Sequence, residues 1–239
     1  QDVIIKPIPS APTFANSTIK YCKNATTSPL TAIGSGIIWY NSGGTAIGAT
    51  APTPSSSVVG STTYYTTQTV DGCESAKAAI IVQINDLPIL DVNSSNATCP
   101  GANTGAITVT PSNGLAPYTY STNGVDFQSS SIFSGLDPAT YTITTKDANG
   151  CISTKQVVVS QPNPITIEPT VSTNCAPIPN GTVSIVASGG TPAYQYKLDN
   201  GTYGTVNSFD NVTAGTHNIT VKDANSCELT SSVTVNNVT

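Results

Sequence analysis

The sequence predicts an all-β chain: three tandem antiparallel β-sandwich domains strung into an elongated rod. Three observations carry that prediction. Apolar and polar residues alternate over short runs, and Gly, Pro, Asn or Asp break the runs roughly every 8–12 residues. The chain repeats itself at a fixed offset. Its 6 cysteines fall into three pairs of nearly constant spacing.

Residues 1–85 form the first expected domain. A strand is expected at Ile37-Ile38-Trp39-Tyr40 and another at Thr62-Thr63-Tyr64-Tyr65, with a Ser-rich loop between them. The turn Asp71-Gly72 leads to Cys73. The order Cys22, Trp39, Cys73 follows the Cys…Trp…Cys order of immunoglobulin domains. The linker Asn85-Asp86-Leu87-Pro88 separates this domain from the next.

Residues 86–162 form the second domain and 163–239 the third. Sliding residues 99–163 by 76 positions lays them on 175–239 without a gap. Gly105 then meets Gly181, Ile107 meets Val183, Gly114 meets Gly190, and Tyr118 and Tyr120 meet Tyr194 and Tyr196. Lys146-Asp147-Ala148-Asn149 recurs as Lys222-Asp223-Ala224-Asn225. Alternating positions such as Ile107/Val109, Tyr141/Ile143 and Val157/Val159 define strands. About seven strands per domain, in two sheets, predict a sandwich of immunoglobulin or PKD type. The joint Ser160-Gln161-Pro162-Asn163-Pro164 is stiffened by its prolines. Three such domains end to end span roughly 100 Å.

Cys22 and Cys73 are 51 residues apart, while Cys99 and Cys151, and Cys175 and Cys227, are each 52 apart. That spacing reads as one intradomain disulfide in each domain. If strands alternate up and down, Cys99 and Cys151 fall at the same end of a sandwich, and the staple closes that end. Closing a loop of about 52 residues stabilises by about 4 kcal/mol on loop entropy. Small domains with limited cores need such staples, and staples require an oxidising compartment.

Net charge is −5, the 8 cations are scattered lysines, and there is no Arg. Nucleic-acid binding needs a clustered basic stripe, so it is excluded as the expected function. No apolar run approaches the ~20 residues of a membrane helix, and no membrane insertion is expected.

Candidate sites are few. His217, the one histidine, lies on the inward phase of a strand with no nucleophile motif, so no catalytic residue is assigned and the chain reads as a non-enzyme. Asp147, Asn149, Asp223 and Asn225 are weak Ca²⁺ candidates; side-chain capping of a tight turn explains them more simply. No cofactor is otherwise expected. Tyr40, Tyr64 and Tyr65 are candidates for stacking on a sugar, because neighbouring strand residues point to opposite faces. Trp39 is then the core member, with Tyr40 and one of Tyr64 or Tyr65 exposed.

Cys-Pro-Gly-Ala-Asn-Thr-Gly-Ala-Ile-Thr-Val (99–109), Ala-Pro-Tyr-Thr-Tyr-Ser (116–121) and Lys-Asp-Ala-Asn-Gly-Cys (146–151) resemble the SprB repeat of Bacteroidota surface proteins. The third domain matches less tightly, with Thr191-Pro192-Ala193-Tyr194-Gln195-Tyr196 and Asn225-Ser226-Cys227. Residues 21–82 resemble the immunoglobulin-like domain common in the same proteins. The resemblance implies a large surface or secreted protein, gliding-motility adhesins included, exported by the type 9 secretion system. That export uses a dedicated C-terminal domain, and none is visible, so the chain reads as a fragment.

The expected function is therefore an extracellular, non-enzymatic stalk or binding array of a bacterial surface adhesin, with neighbouring domains of a larger chain as partners. A surface polysaccharide or other cell-surface ligand is the expected external partner. The alternative is a carbohydrate-binding accessory region of a secreted polysaccharide-degrading enzyme. Oligomeric state stays open, since exposed edge strands offer lateral pairing.

Overall fold

The computed structural model describes residues 6–174 and 180–236. These residues are all strand, turn and loop, with no helix among them. They cluster into two compact units. One comprises the chain up to Asp91 with Thr110–Ser130 and Ile143–Lys155; the other comprises Val92–Val109, Ser131–Thr142 and the residues from Gln156 onward.

In the first unit, strands β1 (Thr18–Cys22), β2 (Ile38–Tyr40), β3 (Ala46–Gly48), β4 (Gly60–Thr67) and β7 (Ala78–Asn85) make one sheet in the order β1-β7-β4-β2-β3. The short strands β5 (Thr69–Val70) and β6 (Cys73–Glu74) form a separate hairpin. Period-two alternation produces β7 directly: Ile80, Val82 and Ile84 are buried while Ile81 faces out. They pack with Leu30 and Trp39. β1 runs parallel to β7, a departure from the antiparallel expectation, and Cys22 lies level with Asn85 at the far end of β7.

The middle repeat supplies β8 (Ile89–Ser95), β9 (Gly105–Ser112), β10 (Thr119–Ser121), β11 (Ile132–Leu136), β12 (Ala139–Lys146) and β13 (Ile152–Val159). Its sheets are β11-β9-β8 and β10-β12-β13. The boundary between the compact units falls within β8, β9, β12 and β13.

The second unit also holds β14 (Thr166–Asn174), β15 (Asn180–Ser188), β16 (Gln195–Leu198), β17 (Ser208–Thr213), β18 (Gly215–Lys222) and β19 (Glu228–Val235). These form two sheets, β14-β15-β17 and β16-β18-β19. Val183, Ile185 and Val212 from one sheet and Tyr196, Ile219, Val221, Val233 and Val235 from the other make one buried core. That is a sandwich, with inward residues alternating along each strand.

Among the described residues each of the two copies has six strands where about seven were expected. The missing strand is reduced to a single bridge, Tyr120 with Gln128, and Tyr196 with Gly204 in the copy. In the middle repeat the cause is local. Asn123 Oδ1 accepts the N–H groups of Val125 and Asp126, drawing backbone donors into a side-chain-stabilised turn and away from a ladder.

The disulfides correct the sequence expectation. Cys22 bonds Cys151 and Cys99 bonds Cys227, with Cα separations of 5.5 and 5.6 Å, and Cys73 is a free thiol. Cys175 lies outside the described residues, and its expected partner Cys227 is already bonded to Cys99. Each bond joins one repeat to the next within a single compact unit.

The intradomain pairs fail on geometry. Cys22 sits level with the last residue of β7, whereas Cys73 precedes the first. The eight-residue strand β7 puts about 24 Å between those ends, and a disulfide tolerates a Cα separation of about 7 Å at most. Cys151 precedes β13, while the Cys99 loop reaches its far end, where Ala97 N–H donates to Ser160 O at 2.9 Å. With the reversal at the Tyr120–Gln128 bridge the segments alternate seven times, and an odd count puts the loop after the first strand and the turn before the last at opposite ends.

Candidate functional site: stapled junctions and an aromatic sheet face

Each bonded cysteine turn is built around a buried carboxylate. Asp147 Oδ1 accepts from Asn149 N–H at 2.9 Å and from Cys151 N–H at 2.8 Å. Its Oδ2 accepts from Leu115 N–H at 2.9 Å, so one side chain ties the cysteine turn to the loop after β9. Asp223 does the same in the copy, accepting from Asn225, Cys227 and Thr191 N–H groups. Both aspartates are 4% exposed.

Both oxygens of each carboxylate are thus engaged by backbone donors, which favours the turn-capping role over metal ligation. The side chains of Asp147 and Asp223 hold the N–H of the bridging cysteine, a positioning role. Gly114 and Gly190 allow the approach. Both have left-handed φ (+71° and +57°), and a Cβ would meet the Asp carboxylate at 3.0 and 2.7 Å respectively.

The segments connecting the repeats are held beside these turns. Asp86 accepts from Asn113 Nδ2 at 2.8 Å and lies 3.8 Å from Lys23 Nζ. The Asn113 hydrogen bond, then the Leu87 N–H and Lys23, hold the Asp86 carboxyl below its ordinary pKa. At the second junction Gly190 N–H donates to Asn163 O at 2.7 Å, and Asn225 Nδ2 donates to Thr98 O at 3.2 Å. Hydrogen bonds and a disulfide therefore act together at each junction.

The aromatic candidates separate by face. Trp39 is 2% exposed in the core, and Tyr64 packs against the same cluster. Tyr40 and Tyr65 are paired across β2 and β4, so they share the opposite face. Tyr40 OH donates to Glu74 Oε1 at 2.6 Å, and Lys77 Nζ lies 4.0 Å from its ring centroid. The bond to Glu74 raises the Tyr40 pKa, and the same bond lowers that of Glu74. Sequence reasoning found the two tyrosines but not Glu74 and Lys77, which come from a hairpin and a loop that only tertiary structure brings to this face.

His217 is half-buried on β18. Its Nδ1 is 2.7 Å from Asp199 Oδ2 and its Nε2 is 2.9 Å from Thr213 O. Both partners only accept, so both nitrogens donate and the imidazolium is the fitting form. The Asp199 carboxylate is the main cause of its raised pKa. A ring with both nitrogens donating has no lone pair to serve as a general base.

Among the described residues, no cluster of three or more His, Cys, Asp or Glu side chains could hold a metal ion. No helix among them is long and apolar enough to cross a membrane.

Residues 92–127 and 167–203 match the family model of the SprB repeat. The chain thus has two segments that match the SprB repeat, one in each of the two copies. A comparison with curated proteins finds no match. Among solved structures, the chain is similar to the N-terminal eight Ig domains of Down syndrome cell adhesion molecule, at 12% identity and a TM-score of 0.43, covering 95% of this chain and 36% of that one. It is also similar to Sidekick-1 immunoglobulin domains 1–5, at 13% identity and a TM-score of 0.35, covering 94% of this chain and 58% of that one. Titin domains I67–I69 give 10% identity and a TM-score of 0.37, with 95% and 99% covered. The chain spans less than two thirds of the first two.

Proposed function

We propose that the chain is a non-enzymatic, extracellular repeat segment of a bacterial surface adhesin, of gliding-motility type and exported by the type 9 secretion system. In this reading residues 1–85, 86–162 and 163–239 are its three domains, and its work is to bear load between an anchored end and an adhesive end. The SprB-repeat matches support the surface-adhesin assignment. The observation that carries the load-bearing role is the interlocked pair of disulfides, Cys22–Cys151 and Cys99–Cys227.

The two bonds act as nodes. Three chain segments, 22–99, 99–151 and 151–227, join those nodes in parallel. Pulling on the ends loads the shortest segment, the 52 residues between Cys99 and Cys151, once the folded structure gives way. At about 3.6 Å per residue that segment extends to about 190 Å, against about 740 Å for the whole stretch from Cys22 to Cys227 after reduction. A stalk built this way resists extension even when its sandwiches unfold.

Single-molecule pulling on the chain ends tests this. Added reductant should lengthen the fully extended Cys22-to-Cys227 stretch about fourfold. Equal lengths with and without reductant would remove the load-bearing role.

The second reading is a carbohydrate-binding region, favoured by the Tyr40–Tyr65 pair on one sheet face. Against it, Glu74 holds the Tyr40 hydroxyl and Lys77 covers its ring. Saturable binding to an array of bacterial and plant polysaccharides, lost in Tyr40→Ala or Tyr65→Ala, would establish that reading. Absence of binding at high micromolar concentration would leave the stalk as the better account.

A further inference from the structure

The two disulfides obey one rule. The cysteine at the end of the first strand of a repeat (Cys22) or just beyond it (Cys99) bonds the cysteine in the turn before the last strand of the next repeat (Cys151, Cys227). Cys73 holds the second of these positions in the first domain. It lies between β4 and β7 as Cys151 lies between β12 and β13, and its thiol is free and half-exposed.

An independent observation concerns how each repeat is entered. At the first junction the entry residue Asp86 is bonded to Asn113, beside the Leu115 whose N–H binds Asp147 of the cysteine turn. At the second, the entry residue Asn163 is bonded to Gly190, beside the Thr191 whose N–H binds Asp223. The entry segment of each repeat therefore delivers the preceding repeat to the cysteine turn.

The start of the described chain likewise lies against the cysteine turn of the first domain. Lys6 Nζ donates to Asp71 O at 2.9 Å, two residues before Cys73, and Gln68 Nε2 donates to Ser10 O at 2.7 Å. Lys6 and Ser10 are thereby held beside the Cys73 hairpin.

We propose that Cys73 is the receiving half of a further inter-repeat disulfide, its partner being the early cysteine of another repeat of this build. The proposal rests on reading the chain as part of a repeat array. In the step, the Cys73 thiolate attacks a small-molecule disulfide such as oxidised glutathione, forming a mixed disulfide and releasing one glutathione thiolate. The early cysteine of the incoming repeat then attacks the Cys73 sulfur as its thiolate, displacing the second glutathione. Two protein thiols lose two electrons and two protons, and one glutathione disulfide becomes two thiols.

Two sources offer that cysteine: a repeat upstream in the same polypeptide, and a second copy of the chain, whose Cys175 is the sequence equivalent of Cys99. The test has an arm for each, in a glutathione redox buffer, read by non-reducing electrophoresis and peptide mass mapping. The first arm is the chain as it stands. A link from Cys73 to Cys175 of another copy, seen as a ladder of oligomers, supports the proposal and assigns the source to a second copy.

The second arm carries an extra copy of residues 86–162 upstream, with the Cys151→Ser change in the added copy. A link from Cys73 to the added early cysteine supports the proposal and assigns the source to an upstream repeat. Cys73→Ser must abolish either link. If Cys73 in both arms stays a thiol, stops at the glutathione adduct or pairs with Cys73 of another copy, the proposal is overturned. None of these outcomes alters the reductant-dependent extension, which tests the stalk reading separately.

Discussion

At Asp223 a single carboxylate receives three backbone N–H groups, including that of the bridging Cys227. Asp223→Ala strands those donors in a buried turn, and the expected loss is roughly 3 kcal/mol, read from the urea midpoint of the oxidised protein. Asp147→Ala should behave alike in the first unit. His217 makes the second residue-scale prediction. Its pKa is raised in the folded state, so its contribution is fully present below its unfolded pKa of about 6.5 and is lost as pH rises through the folded value. Asp199 has a lowered pKa, so its contribution appears above about 3.9 and is lost as pH falls through the folded value. The pair is therefore strongest between the two. Asp199 is nearly half exposed, which limits the effect to about 1 kcal/mol or less. Urea midpoints measured from pH 5 to 9 should drop on the alkaline side, and His217→Asn should remove that drop.

Among the elements, β2 shows how alternation assigns roles. Trp39 faces the core and Tyr40 the outer face, as adjacent strand residues must. Trp39→Ala should cost about 3–5 kcal/mol, while Tyr65→Ala on the outer face should cost far less, by thermal or urea unfolding. The loops matter as much as the strands. Gly190 combines left-handed backbone with a Cβ position 2.7 Å from Asp223 Oδ2. Gly190→Ala should therefore destabilise the cysteine turn by about 1–3 kcal/mol, against near neutrality for Gly204→Ala, where nothing lies within 4 Å of the added Cβ. The alternating strands and their turns were legible in sequence. The loss of one strand to a side-chain-stabilised turn at Asn123 was not, because a short polar run reads equally as edge strand or loop.

For the molecule as a whole, the covalent topology matters more than the count of disulfides. Each bond closes a loop of nearly 130 residues, with sequence separations of 129 and 128. Each alone restricts the unfolded chain by about 5 kcal/mol on loop entropy, and their shared segment 99–151 makes the two effects non-additive. Reduction should therefore lower the stability of both repeats flanking each junction. The intradomain pairing expected from spacing would have confined each effect to one domain. Differential scanning calorimetry of the Cys22→Ser and Cys99→Ser variants checks this: each should shift transitions in two repeats.

The sequence by itself determined the all-β class, the copy relation between residues 99–163 and 175–239, and most of the strand positions. All of these depend on local alternation, turn chemistry and internal similarity. It also marked every cysteine as part of a repeating device. Only the tertiary structure decided which cysteines bond, because equal spacing along a chain does not say at which end of a strand each one lies. The parallel placement of β1 beside β7 and the reversal at the Tyr120–Gln128 bridge put the in-domain cysteines at opposite strand ends. A disulfide reaches only a few ångströms, so it joined the ends that the fold brought together, and these belonged to successive repeats.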